Sequence, residues 1–246
     1  MNSNDLWNAA RAGRYDTPGE GAFAEAAVGP AVDCLFRLAA GGPVLEFAIG
    51  TGRIALPLAA RGVKVSGIEL SPDMIAVLRG KTGGAAIPVV EGDMATARAE
   101  GAFALVCLVY NTIGNLLSQA EQVACFRNAA RHLRPGGCFV VENMVPDLRR
   151  LPPGQGAVVF ATAPGYIGLD TYDPVAQHLT SHHVTYTADG SARHEIMPQR
   201  YAWPAELDLM AELAGMRLES RWADWTGAAF TAESRSHVSV WRVPAG

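Results

Sequence analysis

The sequence predicts an α/β fold: a doubly wound, mostly parallel seven-stranded sheet carrying an inserted antiparallel cover sheet. Three observations predict it. Short apolar runs alternate with helical stretches between Val44 and Glu142, the pattern of parallel strands joined by crossover helices. The first of these runs breaks at glycines and continues as a helix, Val44-Leu45-Glu46-Phe47-Ala48-Ile49-Gly50-Thr51-Gly52-Arg53. From Val158 to Trp203 the rhythm changes to alternating segments separated by turn residues, which reads as antiparallel hairpins.

Composition excludes several classes. A chain of 246 residues suits one α/β domain with an insertion, and 49% hydrophobic content is ample for a core. Twenty basic against 24 acidic residues leave a net charge of −4, so no basic surface points to nucleic acid. No apolar run reaches membrane-spanning length and no signal-peptide pattern opens the chain, so a cytoplasmic protein without a membrane partner is expected. Cys34, Cys107, Cys125 and Cys138 show no C-x-x-C spacing; no metal site is expected. Lysine occurs only at Lys64 and Lys81, which fits the coding bias of a GC-rich bacterial genome.

Residues 1–40 are read as a polar N-terminal lid followed by a helix over 19–40, ended by Gly41-Gly42-Pro43. The cofactor core spans 41–146. In its first strand–turn–helix, glycines let a ligand approach the backbone, and the helix aims free N–H groups at it. Val63–Glu69 is a second strand ending in an acid that can accept both hydroxyls of a ribose. Ser71 caps the next helix and Pro72 opens it. Ala85–Glu91 is a third strand, closed by Gly92-Asp93-Met94. Phe103–Asn111 is the fourth, apolar on both faces, and its end places Tyr110, Asn111 and Asn115 at the topological switch point. Ser118–Leu133 is a helix with a capping box, and Cys138–Glu142 the fifth strand. Residues 147–203 are the cover strands. Residues 204–246 hold a helix over 205–214 and two strands that complete the sheet.

Gly50-Thr51-Gly52-Arg53-Ile54-Ala55 fits the dinucleotide pattern G-x-G-x-x-G/A. Glu46, however, would repel a pyrophosphate and would suit a cationic ligand, such as the sulfonium and ammonium of S-adenosylmethionine. The segment resembles the first motif of class I S-adenosylmethionine-dependent methyltransferases, E/D-x-G-x-G-x-G, with Ala48 in place of the first glycine. Glu91-Gly92-Asp93-Met94 resembles that family's adenine-recognising motif, and Leu133-Arg134-Pro135-Gly136-Gly137 its turn before the fifth strand. The resemblance implies a methyltransferase of Rossmann-like fold that uses S-adenosylmethionine and releases S-adenosylhomocysteine. It implies cofactor contacts from Tyr15 in the lid, from Glu46, Ala48, Gly50, Gly52 and Arg53, from Glu69, Leu70 and Met74, from Gly92, Asp93 and Met94, and from Val109, Tyr110 and Asn111. The acceptor is expected to be a small molecule of specialised metabolism, methylated on N or O. The cover strands are loosely similar to those of deoxyaminosugar N-methyltransferases, which often dimerise through them, so a homodimer is one expectation. An NAD(P)-dependent oxidoreductase and a non-catalytic cofactor-binding protein of the same fold are the alternatives.

Alternation puts His178, Thr180, His182, Val184 and Tyr186 on one face of a cover strand, and His183, Thr185 and Thr187 on the other. The expected proton acceptors are His182 first and His178 second, because histidine titrates near neutral pH.

Overall fold

The structure is a computed structural model that describes residues 7–245; the first six residues of the expected lid lie outside it. Seven strands form the central sheet. They are β1 (Val44–Phe47), β2 (Val65–Glu69), β3 (Val89–Glu91), β4 (Phe103–Leu108), β5 (Leu133–Met144), β10 (Arg217–Trp222) and β11 (Ser236–Arg242). Their order is β10-β11-β5-β4-β1-β2-β3. The ladders from β5 through β3 are parallel, whereas β11 pairs antiparallel with both β5 and β10. The order reverses between β1 and β4, so the crevice outside their carboxyl ends is the switch point.

Alternate side chains of the central strands feed two cores, as period-two geometry requires. Leu45, Phe47, Val106, Leu108, Phe139 and Val141 face α5 (Gln119–His132) and α6 (Pro204–Leu213), where Phe126, Leu207 and Met210 are buried. Val44, Leu105, Cys107, Cys138 and Val140 face the opposite layer of α2 (Glu25–Ala39), α3 (Ala55–Ala60) and α4 (Pro72–Arg79). All four cysteines are buried and unpaired, packing as small apolar groups.

Between β5 and α6 the chain builds a separate four-stranded antiparallel sheet of β6 (Ala157–Ala163), β7 (Tyr166–Asp173), β8 (His178–Tyr186) and β9 (Ala192–Arg200). Each strand pairs with its sequence neighbour. A buried polar knot fastens this sheet to the core. The Arg200 guanidinium donates to Gln122 Oε1 at 2.6 Å and pairs with Glu206 at 2.7 Å. Gln122 Nε2 donates in turn to the carbonyls of Ile113, Leu116 and Arg200.

Several boundaries differ from the sequence reading. A helix α1 (Ala9–Tyr15) forms in the N-terminal stretch, capped by Asn8, whose side chain accepts from Arg11 N. The helix expected over 19–40 starts only at Glu25, after a 3₁₀ turn over Gly21–Phe23. Gly84–Ala86 is another 3₁₀ turn, which shortens the third strand to Val89–Glu91. β4 stops at Leu108 because Tyr110 and Asn111 adopt φ of 59° and 60°, and left-handed residues cannot continue a ladder. β5 begins earlier, at Leu133, which pairs with Phe103. The capping box forms as read: Ser118 Oγ accepts from Glu121 N, and Glu121 accepts from Ser118 N.

Candidate active site

The turn after β1 needs three left-handed residues: Ala48 (φ 48°), Gly50 (φ 56°) and Gly52 (φ 85°). Two are glycines, the residue that takes this conformation without penalty. Ala48 carries a cost of roughly 1–2 kcal/mol. The two glycines serve different ends. Gly50 lines the cavity, and its N–H donates to Glu69 Oε2 at 2.8 Å. Gly52 does not line it; a Cβ there would meet Leu78 of α4 at 2.4 Å. Gly52 thus seats the turn against α4, away from the cavity lining.

Glu69 ends β2 facing this turn. Its other oxygen accepts from Ser71 N at 2.9 Å, and burial raises its pKa against the pull of the Ser71, Gly50 and Leu70 amides. One carboxylate therefore bridges the ends of two crossovers and borders both lobes of the crevice.

The larger lobe is a cavity of about 760 Å³, inside the roughly 300–1,000 Å³ range of small-molecule sites. Tyr15, Ala48, Gly50, Glu69, Met74, Tyr110 and Asn111 line its core side. The smaller lobe continues past Ala48 and Glu69 to Leu70, Gly92, Asp93 and Met94. Asp93 Oδ1 accepts from Ala95 N at 2.7 Å, leaving its second oxygen for a ligand. These groups fit S-adenosylmethionine: a glycine turn against the chain's middle, a carboxylate for a ribose, and an acid-bearing slot for a base.

Three further expected contacts, besides Gly52, lie off the cavity lining. Glu46 is 2% exposed and its Oε2 has no partner. Burial pushes its carboxyl up to about 8, although Arg53 and the Ala55 amide oppose this. It lies beneath the turn and does not border the cavity, because its side chain points into the layer where α3 begins. Arg53 is spent on packing, with its guanidinium over the rings of Phe23 and Tyr110 and donating to Ala22 O. Val109 is buried in the core beside β4.

The N-terminal segment, the expected lid, packs over the turn. Asp16 accepts from Thr51 Oγ1 at 2.6 Å and pairs with Lys81 at 2.5 Å, while Lys81 also donates to Thr51 O. Ser71 Oγ donates to Trp7 O at 2.6 Å. The Tyr15 ring stands edge-on to Trp7 and Phe23, and burial raises its pKa to about 12. Trp7 borders both lobes.

The opposite wall of the cavity is the inner face of the four-stranded sheet, with Phe160, Asp170, Leu179, Ser181, His183, Arg193, Glu195, Met197 and Gln199. This corrects the expected pair of histidines. His182 points outward, stacked on His194 at 5.2 Å. His178, on the same outward face, bonds through Nε2 to Leu117 O at 3.0 Å. Alternation defined the two faces, but only docking against residues 112–117 decides which one turns inward. The inward histidine is His183. Its Nδ1 lies 2.7 Å from Tyr166 Oη, and burial lowers its pKa, with Asp170 and Glu195 opposing. Asn115 lines the cavity beside Asn111, whereas sequence reasoning missed Thr112 and Met144, which line it without belonging to any motif.

Comparison with known proteins agrees with this geometry. Residues 44–137 match the "methyltransferase domain" family. The structure of the CcbJ methyltransferase from Streptomyces caelestis superposes with a TM-score of 0.82 at 36% identity, covering 99% of this chain and 98% of that one. The cypemycin N-terminal methyltransferase of a Streptomyces species is 27% identical over 81% of this chain and 82% of its own length. A dTDP-3-amino-3,6-dideoxy-alpha-D-glucopyranose N,N-dimethyltransferase of Streptomyces fradiae is 36% identical over 40% of this chain and 38% of its own. Because the CcbJ match runs through both sheets, lid included, the chain belongs to the S-adenosylmethionine-dependent methyltransferases, and S-adenosylmethionine is its methyl donor.

Proposed function

We propose that the protein methylates a nitrogen of a small-molecule amine in bacterial specialised metabolism. The observation that carries this reading is the single cavity bounded by the cofactor turn on one side and the inner cover-sheet face on the other. Asp170 and Glu195 on that face suit an acceptor that arrives as an ammonium. The cypemycin and aminosugar relatives, both named for N-methylation, support the same choice.

When bound, S-adenosylmethionine supplies a methyl group on a positively charged sulfur. The acceptor nitrogen would gain the N–CH₃ bond as the S–CH₃ bond breaks, the positive charge passing from sulfur to nitrogen and leaving the sulfur a neutral thioether. Tyr110 and Asn111 orient the acceptor from the core side and exclude water, so alignment supplies much of the rate. An ammonium must first lose a proton. His183, held neutral by burial, takes it and passes it to solvent, while its bond to Tyr166 fixes the ring.

The test is incubation of an amine library with the cofactor, followed by mass analysis of products and pH–rate profiles of two variants. His183→Ala should lose about 10²-fold in kcat/KM below the acceptor's own pKa and recover at alkaline pH. His182→Ala should match the wild type. A wild-type profile in His183→Ala would leave alignment as the whole mechanism, and methylation of hydroxyls alone would overturn the nitrogen reading.

A further inference from the structure

The inner face of the cover sheet changes character along β9. Gln199 and Met197, nearest the core, are uncharged; Glu195 and then Arg193 follow. Strand geometry spaces such same-face neighbours about 6.6–7 Å apart. Opposite β9, α1 presents Arg11 and Arg14 to the same cavity, three residues apart and so on one helix face. Arg14 reaches Glu195 Oε1 at 3.4 Å, and Arg193 stands 3.9 Å from Glu195 Oε2.

Two guanidinium groups thus flank a single carboxylate. The side chains of Arg14 and Arg193 are 52% and 50% exposed, so each keeps donors for a further partner. A guanidinium is a fixed fork suited to two-oxygen anions. The pairing registers of β8 and β9 place His183 directly across from Glu195. Arg193 is therefore one same-face step from the histidine assigned to the amine.

We infer that this end of the cavity is an anion subsite, and that the acceptor carries a phosphate or carboxylate group at its end remote from the methylated nitrogen. The inference rests on the amine reading above for where the nitrogen lies. The anion displaces the long Arg14–Glu195 and Arg193–Glu195 contacts and bridges α1 to β9. Its arrival closes the lid helix onto the cover sheet, so a substrate group remote from the chemistry helps to assemble the site.

The experiment uses the full chain loaded with S-adenosylhomocysteine. It is titrated with inorganic pyrophosphate and, separately, with succinate, and followed by Trp fluorescence and calorimetry. Saturable binding of either probe, weakened by added salt, is expected; the tighter probe identifies the anion as phosphate or carboxylate. Arg193→Gln and Arg14→Gln should each weaken it about three- to tenfold, the loss of a charged hydrogen bond discounted for exposure. Arg217→Gln, on the distant edge strand, should leave it unchanged, and S-adenosylhomocysteine affinity should hold in all three variants. Absence of saturable binding by both probes, or equal binding by all variants, overturns the subsite. A protein that binds pyrophosphate through these arginines yet methylates only hydroxyls would keep the subsite and lose the amine reading.

Discussion

Glu69 does two jobs with one carboxylate. Both its oxygens already accept backbone N–H groups, from Gly50 and Ser71. Glu69→Ala should therefore weaken S-adenosylhomocysteine binding by about 1.5–3 kcal/mol and also lower the melting temperature, because two amides lose their acceptor. Calorimetry and thermal unfolding on one preparation check both; unchanged affinity would make the residue purely structural. Glu46 carries a pH signature. Its folded pKa of about 8 lies above the ordinary 4.5 of a glutamate carboxyl, so between these values the folded state holds more protons than the unfolded one. The cofactor-free protein should lose stability as pH rises through that window. Glu46→Gln, which keeps the acceptor for Ala55 N, should flatten the loss and raise the melting temperature near pH 8 by a few degrees, about 2–4 °C per kcal/mol, with little change near pH 5. Parallel wild-type and Glu46→Gln melting curves across the range would place the titration elsewhere. Residue-level roles were only partly legible in the sequence. Glu69 and Asp93 announce themselves as acids at strand ends, but Gly52 reads as a ligand glycine until Leu78 is seen against it. Arg53 gives no sign that two aromatic rings will claim it.

At the scale of elements, β1, β2 and β4 were readable because strands buried on both faces are continuous apolar runs. The cover strands were readable from alternation and turns. α1 was not, since a seven-residue helix has no stability of its own; tertiary bonds hold it, from Ser71 to the Trp7 carbonyl and from Thr51 and Lys81 to the Asp16 carboxylate. Asp16→Ala should release this end of the lid. Such a pair, with side chains 28% and 25% exposed, contributes up to about 1 kcal/mol, so the expected result is a few-fold weaker S-adenosylhomocysteine affinity and faster proteolysis within residues 7–18, with the melting temperature nearly intact. A melting temperature that falls in step with affinity would make the segment part of the core rather than a cover.

At the scale of the whole molecule, two sheets are fastened by a buried polar knot. Arg200 is 5% exposed and its partner Glu206 15% exposed, so Glu206→Ala leaves a buried guanidinium with only Gln122 and Gln177 as acceptors. The expected loss is about 3 kcal/mol or more in urea unfolding. The residues around Ile113 to Leu116 should loosen with it, because Gln122 holds both their carbonyls and the Arg200 carbonyl. A loss below about 1 kcal/mol would show that solvent reaches the knot. The four strands of the cover sheet also follow one another without interruption between β5 and α6. Most of the proposed acceptor wall is consequently written in one unbroken stretch of the gene, apart from the stretches proposed to hold the donor. Two recombination points, one on each side of codons 145–203, would exchange what is methylated and leave the methyl source untouched, provided the incoming stretch still ends in an arginine that Gln122 and Glu206 can grip.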